Sequence, residues 1–403
     1  MAGLPPSAEG TVQLEGLGLH AGGALLVKRG LARVAAGERV RVEGSSPTLR
    51  VDLGAWCRHE GHTLHEDTLG AWVERGRAAG ARFVGAERAG GADPQAAGAV
   101  HEAPPLRWGL AARGALVEAG SPEMAFLLHD KHRVWSDDAA RLYAQAVAQQ
   151  WDPATAIPWA TAVDLPHEVE GAVVQVMTYL VENETAALLV PARFLSQLHP
   201  HFREVMQLLA VQIADEARHI EVFTRRGLLR RSELGLSTAG GQASLKTLLV
   251  EPDFALASFL LSVLGEGTFL SLLAFLRNHA PDPVMEAIMR LTHQDEARHV
   301  AFGLSHLVRH VTGDPTERSR LASAVERRHA ALAGTAGLNE EVFDALTILA
   351  AGSFDAEAIE RGHAAVIQLT QEMDTARRQR LERLGFSSGE AQALSEMHTR
   401  NFM

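Results

Sequence analysis

The sequence predicts a multidomain, mainly α chain: a four-helix bundle with extra C-terminal helices, preceded by a small α/β two-layer sandwich. Three observations carry that prediction. The pentad Asp-Glu-Ala-Arg-His occurs twice, at Asp215 to His219 and at Asp295 to His299, each time inside an apolar-periodic helix. An isolated carboxylate lies about one antiparallel helix pair upstream of each pentad. Residues 11 to 87 alternate strand and helix patterns, whereas the chain after residue 122 has helical periodicity.

Within each pentad the Glu and the His are three residues apart and so share a helix face. Glu216 with His219, and Glu296 with His299, therefore each offer one oxygen and one nitrogen ligand to a common point. A single Glu-x-x-His is weak; two identical pentads 80 residues apart are much harder to obtain by chance. A di-metal carboxylate site in a four-helix bundle needs two such helices and one inward Glu from each of two others. Between Phe254 and Arg277 the only carboxylate is Glu266, in an almost wholly apolar run. A charge there is costly unless compensated, by a metal or by a buried Arg. Upstream of the first pentad, Glu182 and Glu184 compete. The apolar stripe Val174, Met177, Val181, Leu188 includes Glu184, whereas Glu182 falls with Gln175, Thr178 and Thr185 on the polar side. Glu184 is the choice, and Pro191 is expected to kink or end its helix. The spacings Glu184 to Glu216 and Glu266 to Glu296 are 32 and 30 residues, enough for two helices and a connection.

These paired Glu and DEARH halves resemble the ferritin-like di-iron carboxylate superfamily, in the branch that includes ribonucleotide reductase small subunits and di-iron oxygenases. The resemblance covers roughly residues 121 to 310. It implies a ferritin-like bundle in which Glu184, Glu216, His219, Glu266, Glu296 and His299 are the metal ligands and the catalytic centre. Two Fe ions, or a Mn/Fe pair, are the implied cofactor, with O2 as co-substrate. It also implies that Asp295, and by symmetry Asp215, hydrogen-bond the ligand histidines, in line with the need to fix the tautomer of a metal-bound imidazole. Four carboxylates and two neutral imidazoles carry four negative charges, which two divalent ions cancel, and this donor set suits Fe or Mn. His293, three residues before Glu296, is a further candidate beside the cofactor. The superfamily's arylamine N-oxygenases carry an extra His four residues before that Glu, a position held here by Thr292. His199, His201, His306 and His310 are expected at the surface. Ribonucleotide reductase small subunits place a radical Tyr one turn after the first ligand His; Phe223 stands there, which disfavours a stored Tyr radical. Gly265, Gly267 and Gly303 are expected either to leave space for a substrate or to allow close helix packing.

In chain order, TVQLEGLGL, ERVRVEG, HTLHEDTL and ARFVGAER read as strands, and AGGALLVKRGLARV and VDLGAWCRHEG as helices. The order β-α-β-α-β-β makes a two-layer sandwich over 1–88. LEGLGL, GERVRVE and DLGAWCRHEGHTL resemble the TusA family of sulfur carriers. That family's reactive Cys opens the first helix; here the stretch reads His20, Ala21, Gly22, Gly23, Ala24, so the nucleophile is missing. Cys57 matches a buried structural Cys. Residues 89–121 are rich in Gly, Ala and Pro and read as a linker. The bundle spans 122–312, with a helix capped at Ser136-Asp137, the extended connection WDPATAIPW, and a Gly-rich crossover near 235–244. Over 313–403 helices are expected at Thr316 to Leu332, Asn339 to Leu349, Asp355 to Leu384 and from Ser387, to cover the bundle or to form a homodimer contact.

The chain has 403 residues, 46 % hydrophobic and 22 % charged, typical of a globular protein. A net charge of −11 argues against nucleic acid or an anionic membrane as partner. A single Cys excludes an intrachain disulfide framework, the start has no signal-peptide pattern, and Glu266 interrupts the longest apolar stretch. These point to a cytoplasmic protein. The expected function is an O2-activating non-haem di-iron oxygenase or oxidase with a small-molecule substrate and a protein electron donor. The alternative is a ferritin-like protein that oxidises or handles iron.

Overall fold

The computed structural model describes residues 10–68, 70–77, 85–333 and 340–397. The chain divides into two compact units, Met1–Ala99 with Ala111–Glu123, and Val100–Leu110 with Met124–Met403.

In the first unit the order is β1 (Thr11–Gln13), α1 (Gly23–Leu31), β2 (Arg39–Glu43), α2 (Leu49–Glu60), β3 (Thr63–Asp67) and β4 (Gly70–Glu74). The sheet order is β1-β2-β4-β3, with β1 and β2 parallel and the other pairs antiparallel. Alternation in ERVRVEG turns Val40 and Val42 inward, where they meet Val73 of β4 and Val27, Leu31, Leu53 and Cys57 of the helices. The β-α-β-α-β-β order is as expected, but the sixth element differs. HTLHED and GAWVE form a hairpin, with the Gly70 N–H donating to Asp67 Oδ1 at 3.1 Å. Gly70 has φ 144°, so the turn needs a residue without Cβ. The strand expected at 81–88 lies partly outside the described residues; its described end, β5 (Glu87–Arg88), pairs with β6 (Leu116–Val117).

The Gly/Ala/Pro-rich stretch therefore carries ordered structure. Its residues 100–110 belong to the second unit, where Trp108 is buried in a short turn against His101 and His201. There follow α3 (Lys131–Val134), α4 (Ala139–Ala148) and α5 (His167–Leu195), which carries Glu184. Pro191 does not end α5: it falls in the last turns, and burial of Pro191 and Phe194 holds the helix to Leu195. After α6 (Arg203–Gly227) comes α7 (Ala239–Val250). The Gly-rich crossover is thus largely helix, because Thr238 caps it by accepting the Gly241 N–H at 3.0 Å. Then α8 (Phe254–Ser258), a π-helix over Phe259–Glu266 and α9 (Gly267–Asn278) form one continuous rod. By length and composition this rod could cross a membrane, yet 78 % of its most apolar window is buried inside the unit. Its partner α10 (Pro283–Gly313) begins with Asp282 accepting the Met285 N–H at 2.9 Å.

The C-terminal helices are α11 (Glu317–Leu332), α12 (Glu340–Ala351), α13 (Ala356–Arg383) and α14 (Ser388–Met397), close to the expected bounds. One continuous apolar core joins them to α5, α6, α9 and α10. At the far end from the pentads, buried Arg226 of α6 pairs with Glu170 of α5 at 2.8 Å and Asp282 at 2.7 Å. Removing the Arg would leave two buried carboxylates, a loss of about 3–5 kcal/mol.

Candidate metal centre

Glu184, Glu216, His219, Glu266, Glu296 and His299 are all buried, 0–3 % exposed. Glu184 comes from α5, Glu216 and His219 from α6, Glu266 from the last π-helical position, and Glu296 and His299 from α10. Their ligand atoms form two overlapping groups, each within 4.8 Å: Glu184, Glu216, His219 and Glu296, and Glu216, Glu266, Glu296 and His299. Each group could hold one metal ion.

Glu216 and Glu296 belong to both groups, and the distances show why. Glu216 turns Oε2 to His219 Nδ1 at 3.2 Å and Oε1 to His299 Nδ1 at 3.1 Å. Glu296 turns Oε1 to His219 Nδ1 at 3.2 Å and Oε2 to His299 Nδ1 at 3.4 Å. Each carboxylate thus spans the two histidines, while Glu184 and Glu266 stand at opposite ends. The two halves of the chain build the two halves of one site.

Each Asp reaches across to the other pentad's His. His219 Nε2 lies 3.2 Å from Asp295 Oδ2, and His299 Nε2 lies 3.3 Å from Asp215 Oδ2. Nε2–H donating to a carboxylate leaves Nδ1, which faces the cluster, as the ligand atom. Both pentad arginines clamp these aspartates: Arg218 donates to Asp295 at 2.9 Å and to Asp215, and Arg298 donates to Asp295 and, at 3.4 Å, to Asp215. Trp151 Nε1 donates to Asp295 Oδ2 at 2.7 Å, its ring stacked 14° from parallel with His219 and covered by Arg218 at 4.5 Å. Gln150 donates to Asp215 at 3.0 Å. Gln212, one turn before Glu216, donates to Glu266 Oε1 at 3.1 Å.

Glu184 Oε1, Glu216 Oε1, Glu266 Oε2, both Glu296 oxygens and His299 Nδ1 are buried and make no hydrogen bond. Buried polar atoms without partners are costly, and here they converge on the volume where the two ligand groups overlap. The donor set, oxygen and imidazole without thiolate, suits Fe or Mn, and the residues fit a pair of such ions. Burial, reinforced by the charges of Glu216 and Glu296, pushes Glu184 well above the usual carboxylate range; burial and Glu296 do the same to Glu266. Burial also opposes the charge on Glu216, but His299 and His219 outweigh it and hold that carboxyl low. Burial would lower both imidazoles; the surrounding carboxylates prevail and raise them well above their ordinary value. Without metal, then, protons balance the cluster, and metal ions must displace them.

Two expectations need correction, and one alternative is decided. His293 is only partly buried and is not among the clustered ligand atoms; it lines a cavity of about 400 Å³ with His279 and Glu372. In that cavity it faces residues of α9 and α13, Phe275 and Leu369 among them. His199, His201, His306 and His310 are buried, at 1 %, 2 %, 0 % and 3 % exposure, because chain distant in sequence covers them. His306, for example, lies against Phe254 and the Trp135 carbonyl. At Gly267 and Gly303 close packing fills the space: a Cβ at Gly303 would meet Ser262 Cβ at 2.5 Å, and one at Gly267 would meet Arg380 Nε at 2.5 Å.

The sequence matches no family model, and no curated protein matches it. Among solved structures, a variant of an R2-like ligand-binding oxidase with an aerobically reconstituted Mn/Fe cofactor is similar at 19 % identity, covering 63 % of this chain and 95 % of that one, with a TM-score of 0.48. A second variant of that oxidase, with an Fe/Fe cofactor, is similar at 18 % identity over the same shares, with a TM-score of 0.49.

Proposed function

We propose that this chain is a non-haem di-iron or Mn/Fe oxidase or oxygenase that acts on a small organic substrate with O2 as co-substrate. The observation that supports this reading best is the doubled, fully buried carboxylate–imidazole cluster with its unsatisfied ligand atoms. Glu184, Glu216, His219, Glu266, Glu296 and His299 would hold the two ions. Once bound, such a pair supplies Lewis acidity and electrons for the reduction of O2.

The chain's own residues define the conditions of that chemistry. Asp215 and Asp295 keep the histidine protons on Nε2. Arg218 and Arg298 offset the aspartate charge without touching the ligands. Gln212 fixes the orientation of Glu266 by one oxygen and leaves the other to face the site. Trp151 stacks over His219, and Phe259, Leu260 and Phe269 give the rod that carries Glu266 a buried apolar surface. Enclosure of this kind favours an organic guest over the hydrated iron that a storage protein passes. In the same reading a protein partner donates electrons and the C-terminal helices provide a homodimer contact. The small α/β unit, similar to TusA but lacking the nucleophile, docks a partner or covers the site. Cys57, its one thiol, is buried and pushed up to about 11 by that burial, which disfavours sulfur transfer.

The test is anaerobic loading with Fe(II) followed by O2, counting ferrous ions oxidised per chain. Oxidation that stops at two ions and resumes only with a reductant supports the enzyme. Continuous oxidation far beyond two, into a ferric mineral, would support the iron-handling alternative instead.

A further inference from the structure

Three arginines next to the candidate metal centre are buried and make no ion pair among the described residues. Arg328 of α11 and Arg377 and Arg380 of α13 are 7 %, 7 % and 8 % exposed. Among the described residues their hydrogen-bond acceptors are neutral oxygens. Arg328 donates to Ser244 Oγ at 2.8 Å and Thr247 Oγ1 at 2.9 Å. Arg377 donates to Ser395 Oγ at 3.0 Å, the Ser395 carbonyl at 3.2 Å and Thr268 Oγ1 at 3.5 Å. Arg380 donates to the Val263 carbonyl at 2.8 Å. One nitrogen of each guanidinium, Arg328 Nη1, Arg377 Nε and Arg380 Nη2, is buried with no hydrogen-bond partner.

The three are close enough to repel one another: Arg377, which shares a helix face with Arg380, acts on both of the others. The carboxylate that acts on Arg377 is Asp374, which already accepts the Ser395 hydroxyl at 2.6 Å and pairs with Arg378 at 2.6 Å. Burial lowers all three arginines to about 10, so they remain cations at neutral pH. Clustered buried cations with unused donors mark a place for an anion.

The location ties this place to the metal centre. Arg380 lies against Gly267, and Arg377 reaches Thr268, the two residues that follow Glu266. Arg328 interacts with Tyr179, whose ring stands 6.0 Å from that of Phe269. Tyr179 precedes Glu184 by five residues on α5 and Phe269 follows Glu266 by three, so both rings stand on the rods that carry these two candidate ligands.

We propose that Arg328, Arg377 and Arg380 form the anion subsite for a small organic carboxylic acid, its carboxylate taking the unused N–H groups beside the helix that carries Glu266. The planar fork of arginine matches a carboxylate in two-point contact. Naming this acid as the substrate rests on the oxidase reading; its binding does not.

The experiment is calorimetric titration of benzoate, hexanoate and inorganic phosphate into the metal-loaded full chain under argon. At least one of the two acids should bind, one per chain. Arg377→Gln and Arg380→Gln should weaken it tenfold or more, and exposed Arg361→Gln should leave it unchanged. If circular dichroism shows the Gln variants unfolded, Arg380→Lys keeps the charge without the fork and should still weaken binding severalfold. No binding of either acid, binding unaffected by the substitutions, or binding of phosphate alone would overturn the proposal. Acid binding as predicted in a chain that consumes no O2 would sustain the subsite and remove the oxidase reading.

Discussion

Asp295 and Asp215 show what the pentad encodes beyond its ligands. Each holds the imidazole of the opposite half, and each is itself held low: burial is outweighed at Asp215 by His299 with Gln150, and at Asp295 by His219 with Arg218 and Arg298. Partners of this kind are worth 10–100-fold in metal affinity. Asp295→Ala and Asp215→Ala should each lose roughly that factor in competition against a chromogenic chelator, while Glu182→Ala keeps wild-type affinity. His306 makes a different prediction. Burial lowers it to about 4, with Nδ1 at the Trp135 carbonyl and the rings of Phe254, Phe302 and His310 around it. Its folded value lies below the unfolded one of about 6.5, so the unfolded chain takes the proton first as pH falls. The stability tied to its neutrality is therefore complete above about 6.5 and lost toward 4, a loss of about 3 kcal/mol. Denaturant melts at pH 7 and pH 4 should show that much less acid sensitivity in His306→Gln. The six clustered residues were legible because an i, i+3 pair is local and Glu184 and Glu266 stand out against apolar stripes. Arg218, Arg298, Trp151 and Gln212 were not, since each acts on a residue of another helix, and Trp151 sits in a Pro-broken connection with no periodicity to place it.

At the scale of elements, the rod from α8 to α9 positions the site. Its π-helical stretch ends on Glu266, and such segments cluster at functional sites because they re-aim side chains within a continuous helix. Nothing in FLLSVLG before Glu266 distinguishes this from an α-turn, since each of those residues is apolar or small and any winding would bury it. Other boundaries were easier: α11 to α14 fall near their expected limits because caps and periodicity agree, as where Asp355 accepts the Ala358 N–H at 3.0 Å. The structure departs from the sequence reading where a cap overrode composition, at Thr238, and where a hairpin turn at Gly70 leads into GAWVE, a strand that the sequence reading lacked. The π-helix packs on α10 where Gly303 meets Ser262. Gly303→Ala must push the two apart and should cost about 1–3 kcal/mol. It should also lower metal occupancy, because Ser262 lies one turn from Glu266. An unchanged melting temperature with full occupancy would mean that this contact does not position Glu266.

For the whole molecule, two chain halves each give a lone Glu and a pentad, and the site exists only when both have folded onto each other. Four carboxylates, two imidazoles and two divalent ions balance, which lets a dry core hold them. In the proposed site six residues bind two ions, with Glu216 and Glu296 shared. Metal content per chain, measured by mass spectrometry after reconstitution of wild type, Glu184→Ala, Glu182→Ala and Glu216→Ala, tests it most directly. The prediction is two ions in wild type and in Glu182→Ala, fewer than two in Glu184→Ala, and the largest loss in Glu216→Ala. Fewer than two ions in every wild-type preparation, or loss from Glu182→Ala with Glu184→Ala intact, would contradict it.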